Sequence, residues 1–217
     1  MNSRLPIVLC GALTLILACT TPTAPAPTPE VRGPRPPGSG LLFDEAKLTA
    51  PSGETAMEFV VKEDDIVTLY RDGGERIASY TVAKDRIVIS TVRGVTNGAI
   101  VRGPDAFTLT TSNPQTTTIE LSREPDGDLR IDRAGERLFD LKHRDYGYKV
   151  VDARGVDLGR VRTGSTSIKI RDQNRVIVRE TKAPISTAAV ACWVLPHLEL
   201  YEAGALTLAV TVWGLPD

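Results

Sequence analysis

Histidine and cysteine are scarce in this chain of 217 residues, which has two histidines and three cysteines. Metal sites and most acid–base or nucleophilic sites need clusters of such side chains, and here they stand far apart. Phosphate-binding loops, dinucleotide fingerprints and the Gly-x-Ser-x-Gly elbow are also missing. The sequence names no catalytic residues, so we expect neither an enzyme nor a cofactor.

Both histidines lie in unremarkable surroundings. His143 belongs to a charged segment, Lys142–Asp145, which predicts a solvated turn, and His197 follows a proline, which favours a capping role. The acidic segments Glu63–Asp65 and Asp126–Asp128 lack the alternating oxygen ligands and closing glutamate of a calcium loop. We therefore expect solvated turns there and no metal site.

A strong excess of positive charge is absent as well, since the net charge is −1. Nucleic-acid binding usually needs a basic protein, so no nucleic-acid partner is expected. The near-zero total hides two regions: residues 41–147 have five more acidic than basic residues, and residues 148–182 have five more basic than acidic ones.

No apolar run reaches the ~20 residues that a membrane-spanning helix needs. The N-terminal run, Leu5–Ala18, is shorter and follows a single positive charge, Arg4. A basic start followed by a short apolar run is the layout of a secretory signal, which we assign to residues 1–18. The alternative, a short transmembrane anchor, is disfavoured by the length.

The segment Ile16-Leu17-Ala18-Cys19 ends this run and resembles the lipobox of bacterial lipoproteins. The resemblance implies cleavage before Cys19 and attachment of diacylglycerol to its thiol. Several acyl chains hold a protein firmly in a membrane, because each buried methylene contributes ~0.8 kcal/mol. In bacterial lipoproteins an aspartate directly after the lipid-bearing cysteine retains the protein in the inner membrane. Here that position is Thr20, so the resemblance implies the outer membrane if the cell has two membranes.

Residues 19–40 are rich in proline, which fixes φ and removes a backbone donor. Such a tract prefers the extended polyproline II conformation, at ~3.1 Å per residue. We interpret it as a semi-rigid spacer; the alternative is a ligand for aromatic grooves.

The remaining residues, 41–217, suit one domain. Short apolar segments alternate with turn signals every 8–12 residues, which predicts an antiparallel β-barrel or, alternatively, a β-sandwich. Asn97-Gly98 is a dipeptide typical of tight hairpin turns. Cys192 is the only thiol of this domain and lies in an apolar run, so we expect it to be buried and inert.

One group of residues predicts a charged surface. In a strand the side chains of Val161, Ile168 and Ile170 would face one side, and a cationic set would face the other. That set is Arg160, Arg162, Lys169 and Arg171, extended by Arg175 and Arg179. A cationic sheet could bind anionic lipid headgroups or another acidic envelope polymer. The alternative is a solvated face that is neutralised by the acidic region 41–147.

Two apolar segments close the chain, Thr187–Leu195 and Ala203–Leu215. Apolar residues on all sides indicate full burial. In 203–213, however, larger aliphatic residues alternate with others at the period of a strand, so helix and strand both remain open.

The order of these elements resembles the tubby C-terminal-like superfamily, which includes the LURP-one-related proteins and the phospholipid scramblases. The resemblance is carried by Asp-x-x-Gly turns such as Asp152–Gly155, by the strand Ser167–Asp172, and by the apolar C-terminus. It implies a closed barrel of about a dozen strands around a central helix formed by 187–213. Members of the superfamily bind phosphoinositide headgroups or are linked to membrane lipids; no residue here is assigned that role.

Taken together, these patterns predict a membrane-anchored envelope lipoprotein whose non-catalytic β-domain binds a lipid, an envelope glycan or a protein partner. Two alternatives remain open at the level of sequence. The protein could be a structural or assembly subunit of an envelope complex, or, least favoured, an enzyme that acts on an envelope polymer.

Overall fold

The computed structural model describes residues 41, 43–62, 65–92, 96–112 and 116–216. The predicted signal, the lipid-bearing Cys19 and the spacer 19–40 lie outside the described residues, as do Glu63 and Asp64 of the first acidic segment. Within the described part the chain forms fourteen strands, a short 3₁₀ turn at Asp72–Gly74 and two helices. The strands are β1 (Glu45–Thr49), β2 (Thr55–Val61), β3 (Ile66–Arg71), β4 (Glu75–Val82), β5 (Arg86–Thr91), β6 (Thr96–Arg102), β7 (Ala106–Ser112), β8 (Thr116–Arg123), β9 (Leu129–Arg133), β10 (Glu136–Arg144), β11 (Gly147–Asp152), β12 (Asp157–Thr163), β13 (Ile168–Arg171) and β14 (Ile177–Thr181).

The strands close into one antiparallel barrel. Each strand pairs with the next along the chain, and β1 pairs with β14 through Thr49 and Glu180. The predicted barrel is therefore confirmed, and the sandwich alternative is wrong. Closure removes the exposed edges that an open sheet would leave, and it uses no residue before Glu45. Residues 36–217 form one compact unit, which we expect to fold by itself because it has its own core and a complete barrel.

Alternation of side chains along each strand builds the core. On β4, for example, Ala78, Tyr80 and Val82 are buried while the residues between them are more exposed. The same period continues through Ile87 and Ile89 on β5. Apolar residues at every second position therefore fill the barrel, as the strand period requires.

The up-and-down order gives the barrel two distinct ends. Turns after odd-numbered strands, including Asp152–Gly155, lie at one end, which we call the odd end. Turns after even-numbered strands lie at the other, the even end. The chain leaves β14 at the even end and enters the first helix there.

Two helices occupy the interior, α1 (Thr187–Trp193) and α2 (Leu200–Trp213). Helix α1 contacts β11 and β12, and α2 contacts the wall from β4 to β7. The strand alternative for 203–213 is wrong. A segment inside a closed barrel finds no free strand edge, so only a helix can satisfy its backbone N–H and C=O groups internally.

The resemblance implied one central helix over 187–213, but the structure divides this segment in two. Helix α1 ends at Trp193, and Pro196 follows in the connection. Proline lacks a backbone donor and disfavours helical geometry in the residue before it, which explains the break. The chain then turns back, and α2 runs to the even end, where Trp213 lies edge-on to Phe107 with 5.4 Å between ring centres.

Two sequence expectations fail in the strands. Asn97 and Gly98 lie within β6 and form no hairpin turn. A Cβ at Gly98 would clash with the carbonyl of Thr110 on β7, so the glycine permits a close approach of two strands. His143 belongs to β10 and not to a turn; its backbone N–H donates to Asp128 Oδ1 at 2.6 Å.

Cys192 is fully buried in α1, as expected from the sequence. Burial raises the pKa of its thiol to about 12. The thiolate, which is the reactive form, is therefore suppressed at neutral pH.

Candidate anionic-ligand site

The predicted cationic residues meet in neighbouring strands of the barrel wall. Arg160 on β12 lies directly opposite Arg171 on β13, and Arg162 lies directly opposite Lys169. Their neighbours Val161, Ile168 and Ile170 are buried, so these four cations point outward as the alternation predicted. We call Arg160, Arg162, Lys169 and Arg171 the basic face. Like charges directly opposite each other destabilise a sheet, so this arrangement has a cost.

Arg160 is the member of the basic face that forms an ion pair with a described carboxylate. Asp157 Oδ2 lies 3.3 Å from Arg160 Nη2 and 3.4 Å from Lys149 Nζ, which lies beside Arg160 on β11. Partial burial tends to raise the pKa of Asp157, but hydrogen bonds from Arg160 and Lys149 outweigh it and lower that pKa. One carboxylate thus serves two cations, and positive charge remains.

The other three cations form no ion pair with a described carboxylate. The guanidinium of Arg162 lies over the ring of Tyr146, 4.8 Å from its centre. Arg171 Nη1 donates to the backbone carbonyl of Arg175 at 2.8 Å. Lys169 has Glu180 opposite it on β14 without an ion pair between them. Across the described residues, no ion pair joins the basic face to a carboxylate of the acidic region 41–147, which disfavours simple neutralisation.

Arg175 and Arg179 do not extend the outward face as expected. Arg175 is exposed in the β13–β14 turn, where its φ is 65°. Arg179 lies opposite the buried Ile170 and therefore belongs to the inner face. A β-bulge causes this: Arg171 pairs with Ile177 and Ile170 with Arg179, so Val178 is an extra residue that reverses the alternation.

Arg179 lines a cavity of about 480 Å³ at the odd end. Its walls are mostly aliphatic, and the connection between the helices contributes Val194 and Pro196. The aliphatic side chains of the barrel that line it include Leu48, Val150, Leu158, Val161, Ile170 and Val178. We call this space the end cavity. Its volume lies within the ~300–1,000 Å³ typical of small-molecule sites.

The charged groups of the end cavity are mainly cationic. Arg179 lines it from the inner face of the wall, and Arg160 and Arg171, which belong to the basic face, line it as well, together with one acid, Asp172. Asp172 Oδ1 accepts the backbone N–H of Val176 at 2.9 Å and so shapes the turn. Arg179 Nη1 donates to the carbonyl of Val178 at 2.7 Å and has no described carboxylate partner. Arg171 Nε is buried without a hydrogen-bond partner among the described residues.

Sequence reasoning found the basic face and missed the end cavity. The residues of the cavity come from β1, β2, β11 to β14 and the helix connection, which are far apart in sequence. The one local signal is Arg179 itself, a cation directly after the apolar stretch Val176–Val178. Its inward direction depends on a bulge that alternation cannot reveal.

A second charged group, Glu202, is buried at the start of α2. Arg133 Nη2 on β9 donates to Glu202 Oε2 on α2 at 2.6 Å, and the Glu202 side chain is 5% exposed. The same oxygen accepts the backbone N–H of Glu199 at 3.0 Å, forming a capping box. Both functions are structural, because they fix the start of α2 against the wall.

In the part of the chain that the structure describes, no group of three or more histidine, cysteine or acidic side chains could hold a metal ion. Neither described helix combines the length and apolarity needed to cross a bilayer. The chain matches no protein-family model, no curated protein and no solved structure at a significant level.

Proposed function

We propose that this protein is a lipid-anchored envelope lipoprotein whose barrel is a non-catalytic binding domain for anionic lipid headgroups. The basic face would contact the headgroups, and the acylated Cys19 would hold the protein in a membrane, in the outer membrane where there are two. Membership of the tubby C-terminal-like superfamily is part of the same proposal; a closed barrel with buried C-terminal helices is consistent with it.

The arrangement of like charges carries the proposal. Two cation pairs, Arg160–Arg171 and Arg162–Lys169, lie directly opposite each other on adjacent strands. Such pairs cost stability, and of the four cations only Arg160 forms an ion pair with a described carboxylate, Asp157, which offsets only part of the charge. Phosphate oxygens of a headgroup would relieve the repulsion, since charge-assisted hydrogen bonds from arginine to phosphate are strong.

The test is co-sedimentation of the purified domain 36–217 with phosphatidylcholine vesicles that contain or lack phosphatidylglycerol. We expect binding only to the anionic vesicles and loss of binding at high salt, because exposed charges are screened. The double variant Arg162→Glu with Lys169→Gln should remove most of the binding. Lys169→Gln is chosen over glutamate because Glu180 lies opposite.

A matched control uses the same chemical changes elsewhere. Lys84 and Arg86 are exposed near the β4–β5 turn at the even end, and Arg86→Glu with Lys84→Gln changes the net charge equally. The control should bind anionic vesicles like the parent domain. Equal losses in both double variants would mean a response to net charge alone and would contradict the proposal, as would an absence of binding at low salt. Binding to an acidic polysaccharide but not to vesicles would point to an envelope polymer instead.

A further inference from the structure

We propose that the end cavity binds the acyl chain of one single-chain carboxylate amphiphile, a ligand of the fatty-acid class, with its carboxylate on Arg179. This goes beyond headgroup binding at the basic face, because it places a whole small molecule inside the barrel and uses a different arginine.

The walls of the cavity suit an alkyl chain. The aliphatic side chains that line it include Leu48, Leu158 and Val178, and the helix connection adds Val194. An alkyl chain gains free energy for each methylene that it buries against these aliphatic side chains. The shape and polarity of the wall therefore indicate a mostly apolar ligand.

The arginines specify the polar end of that ligand. Arg179 lies on the inner face of the wall, beside aliphatic residues such as Val178 and Ile170, and no described carboxylate forms an ion pair with it. A half-buried cation without a counter-ion is costly. The planar guanidinium matches a carboxylate bidentately. Arg171, on the same cavity wall, has a buried Nε without a partner, so the chain leaves donors here that it does not satisfy itself.

Two apolar side chains are exposed at the odd end of the barrel. Val156 and Val176 are 47% and 58% exposed and lie in the β11–β12 and β13–β14 turns. Each turn is fixed by an aspartate that accepts the valine N–H: Asp152 Oδ1 at 2.8 Å and Asp172 Oδ1 at 2.9 Å. These contacts hold two large apolar side chains in solvent at the end of the barrel where the end cavity lies.

The experiment is isothermal titration calorimetry of the domain 36–217 with sodium decanoate, dodecanoate, tetradecanoate and hexadecanoate below their micelle concentrations. We expect one site and an affinity that rises by up to about fourfold per methylene, until the chain exceeds the cavity. Hexadecylammonium serves as the matched ligand of opposite charge and should bind at least about tenfold more weakly than hexadecanoate, because loss of a charge-assisted bond alone costs this much.

Four variants test the residues. Arg179→Leu should weaken hexadecanoate binding at least about tenfold, and Arg179→Lys should weaken it less because it keeps the charge. Leu158→Trp should abolish binding by filling the cavity. Because a tryptophan could disturb the barrel, Val178→Phe is a second filling variant, and the thermal unfolding of each variant is measured alongside.

The outcomes separate this inference from the headgroup proposal. Hexadecanoate binding that survives Arg162→Glu with Lys169→Gln but is lost in Arg179→Leu supports the end cavity, whatever the vesicles do. Equal binding of hexadecanoate and hexadecylammonium, unchanged binding in a folded cavity-filling variant, or no saturable binding would each overturn it. Vesicle binding by the basic face could still stand in those cases.

Discussion

The phenolic hydroxyl of Tyr80, on the barrel wall, donates a hydrogen bond to the backbone carbonyl of Tyr201 on α2 at 3.0 Å. Tyr80 is fully buried, and burial raises its pKa well above the ordinary value, so it remains a neutral donor. One turn further along α2, Gly204 faces the same ring, and a Cβ there would clash with the Tyr80 hydroxyl. The hydrogen bond from Tyr80 and the absence of a side chain at Gly204 together fix α2 against the barrel wall.

This pair gives a double-mutant prediction. Tyr80→Phe should lower the free energy of unfolding by about 1 kcal/mol, the usual worth of a hydrogen bond. Gly204→Ala should lower it by about 2 kcal/mol, because overpacking in a tight core outweighs the better helix propensity of alanine. In the double variant the alanine should cost less, since the hydroxyl that it meets is gone. Urea denaturation of the four proteins measures the coupling; strictly additive losses would contradict the contact.

The sequence was a good guide where a pattern is local. The period-two pattern placed Val161, Ile168 and Ile170 inward and Arg162 outward, and the structure agrees. Alternation failed at Arg179, because a single bulge residue reverses which side chains of the following strand face the interior.

Tertiary context explains the other failures. The strand-like alternation of 203–213 was overruled because a closed barrel offers its interior no strand partner, and Gly98 marks a close approach between strands. The end cavity could not be predicted from the sequence, because the residues that line it come from both halves of the chain.

The buried carboxyl of Glu202 predicts a pH dependence of stability. Burial raises its pKa, and the backbone N–H of Glu199 and the charge of Arg133 only partly oppose this. The folded state therefore holds the proton more tightly than the unfolded state does. The stabilising contribution of the protonated Glu202 carboxyl is complete below the pKa of a glutamate in the unfolded chain, ~4.3. It is lost as the pH rises through the higher pKa that Glu202 has in the folded state. Glu202→Gln should flatten this part of the profile.

Urea midpoints between about pH 4 and 7 measure the effect of Glu202. The control is Glu136→Gln, an exposed glutamate on β10. It should leave the slope of the parent protein unchanged. An identical slope in Glu202→Gln would show that another group causes the pH dependence.

Two related turns allow an exchange of residues. In Asp152–Gly155 and in Asp172–Arg175 the last residue donates its N–H to the aspartate carbonyl, at 2.9 and 3.0 Å. The φ angles are 80° at Gly155 and 65° at Arg175. A left-handed φ costs a non-glycine residue ~1–2 kcal/mol. A glycine at such a position avoids this cost, but it loses part of the advantage because its unfolded chain has more conformational entropy.

We therefore expect Arg175→Gly to raise the free energy of unfolding by about 0.5–1 kcal/mol and Gly155→Arg to lower it by a similar amount. Thermal and urea unfolding of the two single variants provide the measurement. Opposite signs are the essential result. If both variants were destabilised, the side chain of Arg175 would have to make a stabilising contact that outweighs the strain of its backbone.

The proposed lipid anchor gives a cellular prediction. Cys19→Ser removes the thiol that would carry diacylglycerol, and without acyl chains the remaining apolar contribution to membrane binding is small. The full chain expressed in a bacterium should move from the membrane fraction to the soluble envelope fraction or remain unprocessed. Metabolic labelling with radioactive palmitate should label the parent and not the variant. A labelled variant, or an unlabelled parent in a strain that acylates other lipoproteins, would contradict the assignment.

Arg179 should show opposite effects on stability and on binding. In the unliganded barrel it is a half-buried cation without a described carboxylate, next to aliphatic residues such as Val178 and Ile170. Replacing such a group with leucine removes a desolvation cost and adds apolar contacts, so Arg179→Leu should raise the free energy of unfolding by about 1 kcal/mol. The comparison variant is Arg133→Leu, which leaves the buried carboxylate of Glu202 unpaired and should lower that free energy by about 3 kcal/mol. Urea unfolding without ligand measures both. A large loss of stability in Arg179→Leu would mean that this arginine supports the fold, and the end cavity would then have no residue reserved for an anion.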